Sequence, residues 1–157
     1  MIKNVLVTGG AGYIGAHTVD ALVKSGFSPI IVDDFRNSNP SVIKDLSTLI
    51  GFEPVFFNID ICDKSALKEI FAQYQINAVI HFAAFKAVGE SVTEPLKYYQ
   101  NNLIGLLNII ECMELFDVHE LVFSSSCTVY GEPDAVKEVN EKTPKQLPTS
   151  PYGYTKW

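Results

Sequence analysis

The stretch Thr8-Gly9-Gly10-Ala11-Gly12-Tyr13-Ile14-Gly15 constrains this chain more than any other. It follows the apolar run Val5-Leu6-Val7 and leads directly into a segment with helical periodicity. A strand that turns through glycines into a helix N-terminus is built to hold a phosphate. The first helical turn offers unpaired backbone N–H groups and a partial positive charge, and glycines let an anion approach the backbone closely. The spacing fits two frames, Gly10-x-Gly12-x-x-Gly15 and Gly9-x-x-Gly12-x-x-Gly15, and the first is the common dinucleotide fingerprint. By itself such a turn is as often a plain strand-to-helix connection, so the remaining elements must decide.

Short apolar strands alternate with longer amphipathic stretches along the whole chain. Val5–Thr8, Pro29–Asp33, Glu53–Asn58, Ala78–Phe82 and Leu121–Ser124 read as strands. Ile14–Ser25, Val42–Ile50, Lys64–Tyr74 and Pro95–Phe116 read as the helices between them, the last as one long helix. The strands are continuously apolar rather than alternating, which implies that both their faces are covered. This pattern predicts an α/β fold with a doubly wound, Rossmann-like parallel sheet, incomplete at its C-terminal end, with residues 1–157 forming one domain.

Composition narrows the partners. The net charge of −6 and the lack of a basic cluster argue against nucleic acid. No apolar run approaches the ~20 residues of a membrane span, and the N-terminus enters a strand without a signal sequence. The three cysteines, Cys62, Cys112 and Cys127, are far apart and form no metal-ligand spacing, which suits a reducing cytoplasm. Cys127 has no histidine nearby in sequence to activate it, so it is expected to be a small buried thiol rather than a nucleophile.

Ligands of doubly wound sheets bind beyond the C-terminal ends of the strands. Asp33 ends the second strand about 20 residues past the glycine turn, where a carboxylate would accept the ribose hydroxyls of an adenosine. A carboxylate there repels a 2′-phosphate and favours NAD over NADP, with Arg36 the one nearby cation that opposes this choice. The loop residues Asp34, Phe35, Asn37 and Ser38, together with Tyr13 and Ile14 of the turn, are expected cofactor contacts. Asp60 and Ile61 follow the third strand, where they would flank the adenine. Phe82, Ala83 and Ala84 follow the fourth, where small residues would let the backbone lie against the cofactor.

After the fifth strand the chain reads Ser124-Ser125-Ser126-Cys127-Thr128-Val129-Tyr130-Gly131, and Tyr152 comes 26 residues after Ser126. Pro151 suits the first position of a helix, and Tyr152 and Lys156 at i and i+4 then share one face. A Tyr/Lys pair alone means little; with a serine leaving strand five and a dinucleotide turn on strand one it is specific. These motifs resemble the extended short-chain dehydrogenase/reductase family, with its glycine turn, active-site serine and Tyr-x-x-x-Lys. Within that family the chain is most similar to the UDP-hexose 4-epimerases. His81-Phe82-Ala83-Ala84-Phe85-Lys86-Ala87-Val88-Gly89-Glu90-Ser91 and Pro95-Leu96-x-Tyr98-Tyr99-x-Asn101-Asn102 look like their signature segments.

The resemblance implies interconversion of UDP-galactose and UDP-glucose through a transient 4-keto sugar on tightly bound NAD. Tyr152 would be the general base at the sugar O4, Ser126 would hydrogen-bond O4, and Lys156 would support Tyr152 and bind the nicotinamide ribose. A positive charge about 5 Å from a phenolate stabilises it by on the order of 3 kcal/mol at an effective dielectric of 20. Lys86, Asn101 and Ser124 would contact the cofactor, and Lys86 also the UDP-sugar. The alternatives are another nucleotide-sugar epimerase or reductase of the family, or a non-catalytic NAD-binding module. A dehydratase is disfavoured, because Cys127-Thr128 stand where those enzymes carry an Asp-Glu pair. Family members are roughly twice as long as this chain, so it reads as their N-terminal part, inactive alone, with a homodimer expected only at full length. The resemblance implies a subunit interface that uses the helix at 95–116 and the helix beginning at Pro151.

Overall fold

The computed structural model describes residues 3–132 and 138–157. In chain order the elements are β1 (Asn4–Thr8), α1 (Tyr13–Lys24), β2 (Ser28–Val32), α2 (Ser41–Ile50), β3 (Val55–Phe57), α3 (Lys64–Gln73) and β4 (Ile76–His81). They continue with α4 (Val88–Thr93), α5 (Pro95–Tyr99), a π-helical turn (Gln100–Ile104), α6 (Gly105–Leu115), β5 (Glu120–Phe123), a 3₁₀ turn (Cys127–Tyr130) and α7 (Pro151–Lys156). The sequence reading treats the chain as one domain; its contacts divide into two compact units. The first is Met1–Ala83 with Gly105–Phe123, and the second is Ala84–Ile104 with Ser124–Trp157.

The first unit is the expected parallel, doubly wound sheet, with strand order β3-β2-β1-β4-β5 and every pairing parallel. Alternation along the strands explains how both faces are filled. Leu6, Ile30 and Val32 point into one cluster with Leu67, Ile70 and Phe71 of α3 and Ile109, Cys112 and Met113 of α6. Val5, Val7 and Ile31 point the other way, against Val19 of α1 and Leu46 of α2. Helices therefore cover both faces of the central strands, as continuous apolar runs require. The edge strand β5 departs from that rule, with Leu121 and Val122 exposed despite their apolar side chains.

The expected single helix at 95–116 is interrupted, with α5 and the π-turn in the second unit and α6 in the first. The chain from Pro95 to Leu115 is helical throughout, but Gln100–Ile104 adopt a π-turn. The π-turn coincides with Asn102, which is buried and whose side chain bonds to Phe85 and Thr155 in other segments. Helix α4 and the 3₁₀ turn at Cys127–Tyr130 are also absent from the sequence reading. The third strand is shorter than expected, and α7 begins at Pro151 as the sequence predicts.

Candidate functional site

In the first unit the glycine turn is fixed by close contacts. Gly9 has φ +70°, and a Cβ there would stand 2.7 Å from the backbone nitrogen of Ala83. A Cβ on Gly15 would stand 2.2 Å from the Gly9 carbonyl oxygen, so only glycine lets the first turn of α1 sit on the loop beneath it. Gly12 is the N-cap and has no side chain to close over the helix end. The amides of Tyr13, Ile14 and Gly15 thus begin a twelve-residue helix with a positive end, and Tyr13 and Ile14 are exposed beside it.

Asp33 stands where the sequence places it, at the end of β2, and it is buried. Its carboxylate accepts from Ala11 N at 3.0 Å, Phe35 N at 3.0 Å and Ser38 Oγ at 2.7 Å. It therefore braces the glycine turn and the following loop together. A carboxylate presents about four acceptor positions, so Asp33 keeps room for a hydroxyl donor. Phe35 is one of two described non-glycine residues with positive φ, at 60°, and its ring packs on Phe56. Ser38 is half-buried and committed to Asp33, while Asn37 is exposed.

Arg36 is held by two carboxylates. Its guanidinium pairs with Asp34 through Nη2, donates from Nε to the same carboxylate at 2.6 Å, and reaches Asp60 at 2.6 Å. Burial alone would lower its pKa, but Asp34 and Asp60 outweigh that and raise it. The cation that opposed the choice of NAD is thus already paired. Asp60 also accepts from Cys62 N. Burial, followed by the charge of Asp60, pushes the Cys62 thiol up to about 11, so it is inert as a nucleophile. The Ile61 side chain lies in the core and its carbonyl accepts from Asn108, which leaves its amide to face a ligand. Phe82 and Ala83 both donate backbone N–H to the Thr8 carbonyl, which lays the exit of β4 against the glycine turn.

In the second unit the serine cluster and α7 are tied together. Ser150 caps α7, accepting from Gly153 N at 3.1 Å. Lys156 is buried, and its Nζ donates to the Ser124 carbonyl at 2.9 Å. Ser125 Oγ donates to the Lys156 carbonyl at 3.0 Å. Burial lowers the Lys156 pKa to about 8, so near neutral pH its charge persists against the cost of desolvation. Tyr152 is half-buried one turn earlier on the same helix face. Ser126 Oγ accepts from Thr128 N at 3.3 Å and Thr128 Oγ1 at 3.0 Å. With both lone pairs occupied, its own O–H remains to be donated. Lys86 is exposed, Ala84 is half-buried, and half-buried Asn101 donates to Asn102 Oδ1.

Cys127 corrects the sequence reading, since it is exposed at the start of the 3₁₀ turn rather than buried. Its neighbours are Ser126 and Thr128, and no carboxyl group stands at either position 127 or 128.

The sequence reading gives Asn102 no role and passes over Thr155, and it uses Thr128 only as a position where a dehydratase would carry a carboxylate. Asn102 Oδ1 accepts from Phe85 N at 2.9 Å, while its Nδ2 donates to the Phe85 carbonyl at 3.0 Å and to Thr155 Oγ1 at 2.9 Å. Thr155 in turn donates to the Tyr152 carbonyl at 2.7 Å. A polar amide in the middle of an otherwise apolar helix was the signal that marked it.

No helix among the described residues is long and apolar enough to cross a membrane. Comparison with known proteins gives consistent relatives. The chain is 48% identical over 155 residues to a UDP-glucose 4-epimerase of Schizosaccharomyces pombe, covering 97% of this chain and 43% of the relative. It is 49% identical over 152 residues to the UDP-glucose 4-epimerase of Yersinia pestis, covering 97% of this chain and 45% of that protein. Among solved structures, the UDP-glucose 4-epimerase of Bifidobacterium longum in complex with NAD+ and UDP superposes with a TM-score of 0.94. That structure is 41% identical and covers 98% of this chain and 46% of its own. The chain spans less than half the length of these relatives. The family model for GDP-mannose 4,6 dehydratase matches residues 6–157, from β1 through the glycine turn to the Tyr-x-x-x-Lys helix. On that match the chain belongs to the GDP-mannose 4,6 dehydratase family.

Proposed function

We propose that this chain supplies the NAD-binding and acid–base part of a UDP-glucose 4-epimerase, which interconverts UDP-galactose and UDP-glucose through a transient 4-keto sugar. The observation that carries the reading is the buried Lys156 one helical turn from Tyr152, on a helix bonded to the serine segment by Ser124 and Ser125. Relatives at 48–49% identity named for that activity support it.

The residues present fit the cofactor. In the first unit the turn with Gly9, Gly12 and Gly15 would hold the pyrophosphate on the amides of Tyr13 and Ile14, and Asp33 would take an adenosine ribose hydroxyl. Asp34, Phe35, Asn37, Ser38, Asp60, Ile61, Phe82 and Ala83 would complete that side. In the second unit Ala84, Lys86, Asn101, Ser124, Tyr152 and Lys156 would hold the nicotinamide side. When bound, NAD supplies a reversible hydride acceptor at the sugar C4.

The rest is the work of this chain's own groups. Tyr152 removes the proton from O4 and returns it, acting as general base and then general acid. Lys156 places its ammonium one turn from the phenol, in a site where burial strengthens its field. Ser126, its acceptor positions filled by Thr128, donates its hydroxyl to O4 and so orients the sugar oxygen toward Tyr152. Lys86 reaches the UDP-sugar from the loop after Phe85.

Dehydration is the rival that the family model's own name raises. It needs an acid and a base beyond the tyrosine, and positions 127 and 128 offer an exposed thiol and a hydroxyl already bonded to Ser126. Epimerisation needs neither. The homodimer we propose for the full-length protein is supported by Leu107 and Ile110, which α6 exposes near one face. A cytoplasmic location is supported by the three free cysteines.

The test is conversion of UDP-galactose to UDP-glucose by a full-length protein that carries this chain, with NAD bound and no net NADH formed. Accumulation of a 4-keto-6-deoxy sugar instead would assign the dehydratase.

A further inference from the structure

Arg36 lies three residues past Asp33, in the loop where dinucleotide-binding folds that accept NADP place the arginine for the 2′-phosphate. Its position is fixed from the backbone outward. Phe35 N donates to Asp33 and Arg36 N donates to Asp34 Oδ1 at 2.9 Å, so two successive side-chain turns set the loop. The left-handed conformation of Phe35 separates them. Asp34 then takes the Arg36 guanidinium through Nε and Nη2, and Asp60, from the loop after β3, takes Nη2 as well.

We propose that Arg36 is a masked phosphate-binding arginine, and that its pairing with Asp34 and Asp60 acts with Asp33 to select NAD over NADP. The proposal rests on the dinucleotide reading above. One guanidinium faces two carboxylates, and Asp33 adds a third, so the array carries a net charge of −2 where a 2′-phosphate would enter. A dianion entering there must either displace a carboxylate from Arg36 or sit among carboxylates unpaired. A ribose hydroxyl meets neither penalty. Arg36 and the carboxylates of Asp34 and Asp60 are each partly exposed, so each pair alone is weak; selectivity comes from their number and geometry.

The array also makes a prediction that Asp33 alone does not. Neutralising Asp34 should weaken the hold on Nε and let a phosphate oxygen compete for it, while Asp60 keeps its pairing with Nη2 and Asp33 stays in place. Asp34→Asn keeps an Oδ1 to accept from Arg36 N, so the loop retains its turn.

The experiment is fluorescence titration of the protein with NADH and NADPH, for the parent, Asp34→Asn, and Asp34→Asn combined with Arg36→Ala. We expect Asp34→Asn to shift the NADPH-to-NADH affinity ratio toward NADPH by about tenfold, the worth of one charge-assisted contact. The shift should vanish in the double variant. Asp60→Asn, which removes only one contact, should move the ratio the same way by less. A ratio within twofold of the parent in Asp34→Asn, with NADH still bound, overturns the proposal and leaves the dinucleotide reading intact. A gain that persists without Arg36 also overturns it. A parent that binds neither nucleotide overturns the dinucleotide reading and this inference with it.

Discussion

Asn102 Nδ2 donates to Thr155 Oγ1 at 2.9 Å, a bond between residues 53 apart in sequence that anchors the helix bearing Tyr152 and Lys156 to the π-turn. The same side chain closes a two-way bond with the backbone of Phe85, next to Lys86. Three candidate site residues are thereby positioned from one amide, which touches none of their reacting atoms.

Replacing that amide should be costly. In Asn102→Leu the Phe85 N–H and carbonyl and the Thr155 hydroxyl lose their partner at a buried position. The Thr155 hydroxyl keeps its donation to the Tyr152 carbonyl, so at about 1–3 kcal/mol for each of the two Phe85 groups left unsatisfied, a loss of at least about 2 kcal/mol is expected in urea denaturation. Thr155→Val removes both Thr155 bonds at a similar volume but leaves Asn102 on Phe85, and should cost about 1 kcal/mol. Equal losses for the two variants would show that Asn102 is not the hub.

The glycine turn should tolerate no Cβ at Gly15. Alanine there would place a carbon 2.2 Å from the Gly9 carbonyl oxygen, and backbone atoms must move to relieve it. Overpacking of this kind costs typically 1–3 kcal/mol, and it would also turn the amides of α1 away from their common direction. Gly15→Ala should therefore lose NADH binding in the titration while retaining a cooperative unfolding transition. Retained NADH affinity would mean that this turn does not hold the dinucleotide.

Lys156 gives stability a pH dependence of known sign. Burial lowers its pKa from the usual 10.5 to about 8. Between these values the unfolded chain binds a proton that the folded chain does not, so this residue makes stability rise with pH across that window. Below pH 8 the buried ammonium costs up to about 3 kcal/mol. Lys156→Met should flatten the rise and raise stability at pH 7, offset in part by the lost bond to the Ser124 carbonyl. Denaturant titrations from pH 7 to 10.5 check this; an unchanged slope would show that the lysine is not buried in solution.

The 157 residues by themselves should turn over no UDP-galactose, because they span less than half of the relatives that carry the activity. A coupled assay for UDP-glucose on the purified chain checks this, and measurable conversion would show that the missing length is dispensable.

The sheet was legible in the sequence because strand periodicity and glycine punctuation are local signals. Val5-Leu6-Val7 and Pro29–Asp33 could be nothing but buried parallel strands, and Asp33 followed from its distance to the turn. The interrupted helix was not legible. Its helical periodicity continues from Leu96 to Leu115, whereas the π-turn coincides with bonds from Asn102 to residues 17 and 53 positions away. Arg36 was visible as a charge beside Asp33, but its pairing with Asp60 depends on the loop after β3, which no spacing in the sequence reports. The orientation of the Ile61 side chain was not legible for the same reason: an apolar residue after a strand can face ligand or core, and here its side chain packs in the core.

The central claim is that Tyr152 moves the O4 proton with Lys156 behind it. It is tested most directly by kcat for UDP-galactose in a full-length protein carrying this chain, with and without Tyr152→Phe. Loss of a positioned acid–base group should lower kcat by at least about 100-fold, while UDP and NAD binding persist. Turnover undiminished in the phenylalanine variant would contradict the account.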